Sequence, residues 1–215
     1  MKTKFVKTLL SISVSFMIAS CIGDRKQVDL KELEDSSFIN KKFKGNLIDY
    51  QEGMSACSGL NASEIAQLYG VSTEMVIIDD PHTNPQRQVT STPLCAFFIK
   101  SGDSDFLWLR GSMQIEREIG KDEFMGDVAE ATGTGKKWEE AWRLKKSISK
   151  SSVWIPNTGQ AALWNENQTT LEIKLDGYTL KVHPPKNIGN EEETALDRDY
   201  KKMAIGIAKA AGYIN

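Results

Sequence analysis

The side chains with the most reactive chemistry in this chain are three cysteines, Cys21, Cys57 and Cys95, and two histidines, His82 and His183. No two cysteines stand in a Cys-x-x-Cys spacing, so a redox-active pair has no local support. The two histidines are 101 positions apart, and no His-x-x-x-His ladder exists to place two imidazoles on one helix face, so no metal site is expected. His183 reads as a strand-end surface residue. Gly133-Thr134-Gly135-Lys136-Lys137 has the look of a phosphate-binding loop but lacks its requirements. Glu130 stands where the first glycine belongs, and Lys137 where the Mg²⁺-binding hydroxyl belongs. A loop between two helices accounts for it better. No Gly-x-Ser-x-Gly elbow is present, and no catalytic residue or cofactor is assigned. The irregular stretch 80–93 carries three prolines with His82 and Arg87, which makes these two residues candidates for binding. Trp108 is a third. It stands opposite the aliphatic residues of its strand, either as an exposed contact aromatic or beneath a helix of the same chain.

Composition narrows the classes. Among 215 residues, 27 Lys and Arg face 29 Asp and Glu, a formal charge of −2. No nucleic-acid partner is expected from that balance. Hydrophobic residues make up 40% and charged residues 26%, which is globular composition, and the scarcity of long apolar runs excludes a multi-span membrane protein.

The first 20 residues read as an address. Lys2, Lys4 and Lys7 precede an apolar run of 11 residues, 9–19, too short to span a bilayer. It ends in Ile18-Ala19-Ser20-Cys21, which resembles the lipobox of bacterial lipoproteins. The resemblance implies a diacylglycerol thioether on Cys21, cleavage before it, and acylation of the new amino group. Two or three acyl chains hold a protein stably at a bilayer, and that bilayer becomes the first partner. Ile22, which is not acidic, points to the outer membrane if the cell has two. Removing residues 1–20 leaves 24 cations against 29 anions, so the mature chain is acidic and the lipid must do the anchoring. With Cys21 acylated, Cys57 and Cys95 form an even pair in a compartment that is often oxidising. A disulfide is expected, with two buried thiols as the alternative.

Behind the address, 21–37 is charged and read as a lipidated tether, with a short helix over 28–34 as the alternative. A single α+β domain is expected over 38–215, with a division into halves at 50–118 and 119–215 as an option. Asn61 and Glu64 form a capping-box pattern, and Gly70 is a stop signal, so 62–69 is a helix. Strands are expected at 74–78, 94–99, 105–117, 160–164, 169–175 and 178–183. Ser101-Gly102-Asp103-Ser104 and Asp176-Gly177 serve as hairpin turns. Phe124, Val128 and Ala131 share a helical face that Gly133 ends. Further helices are expected over 136–148, with Trp138 and Trp142, and over 199–211. The fold class is α+β: one or two antiparallel sheets with helices packed on one face, with two similar helix-plus-three-strand units as an option.

Cys57-Ser58-Gly59-Leu60, the capped helix ending at Gly70, Cys95 before an aromatic strand, and Gly159-Gln160-Ala161-Ala162-Leu163-Trp164 together resemble a group of small uncharacterised envelope lipoproteins. Those have a Cys-Ser-Leu-Leu start, and Gly59 departs from that pattern. The resemblance implies a fold type and no activity. The expectation is a membrane-anchored envelope lipoprotein that binds an envelope protein or a small ligand without catalysis. The alternatives are a carboxylate-based envelope hydrolase and an inhibitor acting through loop 80–93.

Overall fold

The computed structural model describes residues 25–80, 94–186 and 198–215. Seven strands form one antiparallel sheet: β1 (Val76–Asp79), β2 (Leu94–Ile99), β3 (Leu109–Arg117), β4 (Ser152–Trp154), β5 (Ala161–Asn165), β6 (Thr170–Leu175) and β7 (Tyr178–Lys186). Their spatial order is β1-β2-β3-β7-β6-β5-β4. The fold is the expected α+β class. The two halves meet where β3 pairs with β7, so each supplies one arm of a shared sheet rather than a sheet of its own.

The helices are α1 (Leu30–Glu34), α2 (Ala62–Tyr69), α3 (Gly126–Thr132), α4 (Trp138–Ile148) and α5 (Tyr200–Ala210). Helix α2 begins and ends where its local chemistry requires. The Asn61 side chain accepts from the Glu64 amide, the Glu64 carboxylate accepts from the Asn61 amide, and Gly70 takes the left-handed conformation at φ 67°.

The sheet has two unlike faces. On the first, β2, β3, β6 and β7 turn in Phe97, Met113, Ile173 and Leu180, and α2 and α5 close over them. Gly206 of α5 faces Leu68 of α2, whose Cδ2 would lie 2.7 Å from an added Cβ, so a larger residue there would require the Leu68 side chain to shift. The Cys57–Cys95 disulfide ties the segment before α2 to β2 within this core.

On the second face, α4 lies over the β5 end of the sheet. Trp138 and Trp142 pack there with Phe38, Ala161 and Leu163, and Phe38 stacks on Trp154 at 4.2 Å. Helices therefore occupy both faces. An amphipathic α4 needs an apolar partner, and the first face is already filled by α2 and α5.

Four expectations are corrected in detail. The described part of the expected tether, 25–37, is docked. Asp29 caps α1, the Lys26 amide donates to the Ile148 carbonyl at 3.0 Å, and Arg143 donates to the Leu33 carbonyl at 2.7 Å. Glu32 ties the strap down by accepting from both Lys26 and Lys146. Residues 105–107 form a 3-10 turn, so the strand expected from 105 begins at Leu109. The short strand β4 was not expected at all. Finally, Phe124 precedes α3 rather than lying in it, and neither Phe124 nor Val128 is buried, being 92% and 48% exposed. Helix α3 buries its small side, Gly126 and Ala129, and an added Cβ on Gly126 would meet the Lys121 carbonyl at 2.2 Å, so that position takes no larger side chain.

Candidate functional site

Alternation along β3, β6 and β7 sends polar side chains to the second face. Strand register then lines them up in rows. Gln114, Lys181 and Glu172 stand side by side on β3, β7 and β6, followed by Leu163 of β5. The next row is Glu116, Thr179 and Lys174, followed by Ala161. At the β5 end of these rows α4 covers apolar residues. Towards β3 the rows turn polar and a cleft of about 1010 Å³ opens between them and α4.

The floor of this cleft is a set of opposite charges in contact. Lys181 Nζ lies 2.6 Å from Glu116 Oε1, and the Gln114 amide donates to the same oxygen at 3.3 Å. Lys145, reaching down from α4, binds both oxygens of Glu172 at 2.9 and 2.6 Å. Both carboxylates on the floor are thus engaged by a lysine. Such charge-assisted bonds are short and directional, and they fix the side chains in place.

The α3–α4 turn forms one wall. Gly133 adopts φ 84°, and an added Cβ there would meet the Trp142 indole at 2.5 Å. Its carbonyl accepts from Trp142 Nε1 at 3.1 Å, which holds the indole edge in the wall. The Gly133–Lys137 stretch is therefore an interhelical turn, as its failed phosphate-loop spacing implied. At the rim, Arg117 pairs with Glu123 at 2.7 Å. Hydrogen bonding from Arg117 and from the Gly120 amide lowers the Glu123 carboxyl to about 2.

Thr179 stands out in this setting. It is 2% exposed and lines the cleft. Its Oγ1 is the one buried side-chain polar atom among the described residues without a hydrogen-bond partner. A buried hydroxyl left unpaired costs about 1–3 kcal/mol, and since this oxygen is closed to solvent that cost falls on the fold itself.

The residues singled out by sequence are scattered. Cys57 and Cys95 are joined, which settles the choice between bridge and free thiols. They belong to the apolar core, away from the cleft. Trp108 is half-buried against its own hairpin and not under a helix. Its Nε1 donates to the Gly102 carbonyl at 3.2 Å, its ring meets Phe98 edge-on, and Lys100 Nζ lies 5.8 Å from its centroid. Cys21, His82 and Arg87 lie outside the described residues. His183 is half-buried within β7 and not at a strand end. Its Nδ1 lies 3.0 Å from Thr170 Oγ1, and burial lowers its pKa, with Lys181 adding to the effect. Among the described residues no group of three or more His, Cys, Asp or Glu converges as a metal site would require.

The cleft residues escaped sequence reasoning because Glu172, Lys174, Thr179 and Lys181 alternate with aliphatic residues and so read as a solvent face. One signal was present. Helix 136–148 carried two tryptophans that had to be covered by something.

Comparison with protein-family models, with curated proteins and with solved structures gives no match to the chain.

Proposed function

We propose that this protein is a lipid-anchored binding protein of a bacterial envelope, and that the cleft between α4 and the second sheet face holds its ligand. The anchor rests on Ile18-Ala19-Ser20-Cys21 behind a basic, apolar leader. The binding role rests on one observation above the others. The cleft floor is a prearranged set of paired charges, Glu116–Lys181 and Glu172–Lys145, beside the Trp142 wall.

That floor suits recognition better than acid–base chemistry. Carboxylate-based hydrolysis sets one carboxyl to give a proton and a second to attack or to activate water. Here lysines stand on Glu116 and Glu172, and Glu52 is the one other carboxylate among the described residues that lines the cleft. A polar ligand with donors and acceptors would find fixed partners of both signs and a tryptophan wall.

The test is a thermal-shift screen of the full chain with polar small molecules. A true ligand at a hundred times its Kd stabilises the fold by about 2.7 kcal/mol. The expected result is a compound that raises the Tm of the wild type but not of Ala131→Trp, which fills the mouth of the cleft. Ligands whose effect survives that substitution would place binding elsewhere and overturn the assignment of the cleft.

A further inference from the structure

The docked strap places the anchor. Arg25 forms a β-bridge with Ser149, just beyond the end of α4. The next amide, that of Lys26, is bonded to the carbonyl of Ile148, and Ile148 lines the cleft. Only four peptide units separate Cys21 from Arg25. A fully extended chain of that length spans at most about 14 Å. An acylated Cys21 would therefore be held within about 14 Å of Arg25, which is itself bridged to the residue that follows α4.

From this we infer that the domain rests on the bilayer with a fixed face. This inference takes the lipid anchor of the preceding section as given. The face comprises Arg25, α1 and the carboxyl end of α4, and its partner is a phospholipid headgroup surface. Exposed at this end are Arg25, Lys31 and Lys150 together with Asp29 and Glu34, so the face is set by the short link to Cys21 rather than by charge. The strap is held by backbone hydrogen bonds, by Arg143 on the Leu33 carbonyl, and by Glu32 between Lys26 and Lys146. It cannot act as a loose leash while those bonds hold. The Ile148 end of the cleft then lies beside the headgroups, and a ligand reaches it along the membrane surface. Helix α2, on the other sheet face and beside β1, points away.

The test uses the full lipidated chain in vesicles of phosphatidylethanolamine and phosphatidylglycerol that contain a headgroup-quencher lipid. Fluorophores are attached through Lys150→Cys or, as the distal control, Gln67→Cys. The native Cys57–Cys95 bridge leaves each new thiol as the labelling site. Intact mass of the same sample reads the acyl chains. The expected result is severalfold stronger quenching at position 150 than at 67. Inserting a Gly/Ser spacer of about 20 residues, with a reach of about 25 Å, between Asp24 and Arg25 should abolish the difference. Acylated protein with equal quenching at both positions would overturn the fixed face while leaving the anchor intact. A mass without acyl chains would overturn the anchor itself, and the inference with it.

Discussion

Ile173 and Lys174 are neighbours on β6, and both are 0% exposed. They face opposite sides of the sheet. Ile173 enters the continuous apolar core under α2 and α5. Lys174 enters the charged face and donates to Glu118 Oε2 at 2.7 Å. Equal burial is thus reached by two different physical means. The first face gains from removing apolar surface from water, a non-directional term proportional to area. The second face removes charge from water and recovers the loss only through matched partners, so its geometry is specific and its net contribution small. The first face is built for stability. The second holds fixed charges around an open space, which is what a binding site needs.

The strongest way to break this comparison is to remove the covalent tie of the first face. Cys57 and Cys95 are 38 residues apart. Opening a loop of that size costs about 4 kcal/mol in the chain-entropy model. Cys57→Ala with Cys95→Ala should lower stability by that order in urea melts, while leaving any ligand shift at the cleft in place. Loss of ligand response in a still-folded double variant would show that the two faces are coupled.

Next come the paired neighbours. Ile173→Ala should cost about 3 kcal/mol through the cavity it leaves. Glu118→Ala should cost a similar amount for another reason, since it strands the Lys174 ammonium without its partner. The sharper test is the double variant Glu118→Leu with Lys174→Met, which removes both charges at once. Its stability should return close to that of the wild type, because an apolar pair of similar size commonly replaces an ion pair without loss. No second substitution of that kind can restore a core hole at Ile173. A double variant as unstable as Glu118→Ala would mean that the charged face stabilises the fold in its own right.

How much of this was legible depended on how local the cause was. Helix α2 was readable to the residue because its cap, Asn61 with Glu64, and its stop, Gly70, lie within ten positions. The Asp176-Gly177 turn between β6 and β7 was readable for the same reason. The strap at 25–37 was not. Its contacts run from Glu32 to Lys146 and from Leu33 to Arg143, more than 100 residues away, and a charged segment with distant partners resembles one with none. Phe124 misled in the opposite sense, since helical spacing marks a face without saying which face is buried. The cleft was hidden most deeply. Alternation shows that Glu116, Glu172, Thr179 and Lys181 share a side, but only the strand order brings β3, β7 and β6 together beneath α4.

A smaller effect comes from His183, on the second face. Burial lowers its folded pKa below the ordinary 6.5, with the Lys181 charge adding to the shift. The unfolded chain then binds the proton more readily than the folded one. Stability from this residue is complete above pH 6.5 and is lost as pH falls through 6.5 towards the folded pKa. Chemical melts across that window should show a decline that His183→Gln removes. A decline unchanged in the variant would assign it to another group.

The smallest expected effect sits at the rim of the cleft, where Arg117 and the Gly120 amide hold the Glu123 carboxylate. These bonds lower its pKa to about 2, although the side chain is open to solvent. The sign is opposite in origin to that of His183 but the same in direction. The contact is intact above the ordinary carboxyl value of 4.5 and is lost as pH falls towards 2. In carboxyl-carbon NMR titrations Glu123 should have a midpoint well below those of unpaired surface glutamates, and Arg117→Gln should raise it towards them. Solvent screening makes an exposed pair of this kind worth little to the fold. The global Tm should therefore barely move in Arg117→Gln. The chemical shifts of Phe124 and Met125, next in the chain, should change with it. A large fall in Tm would mean that the rim is part of what holds the second face together, and the division between a stabilising face and a binding face would have to be redrawn.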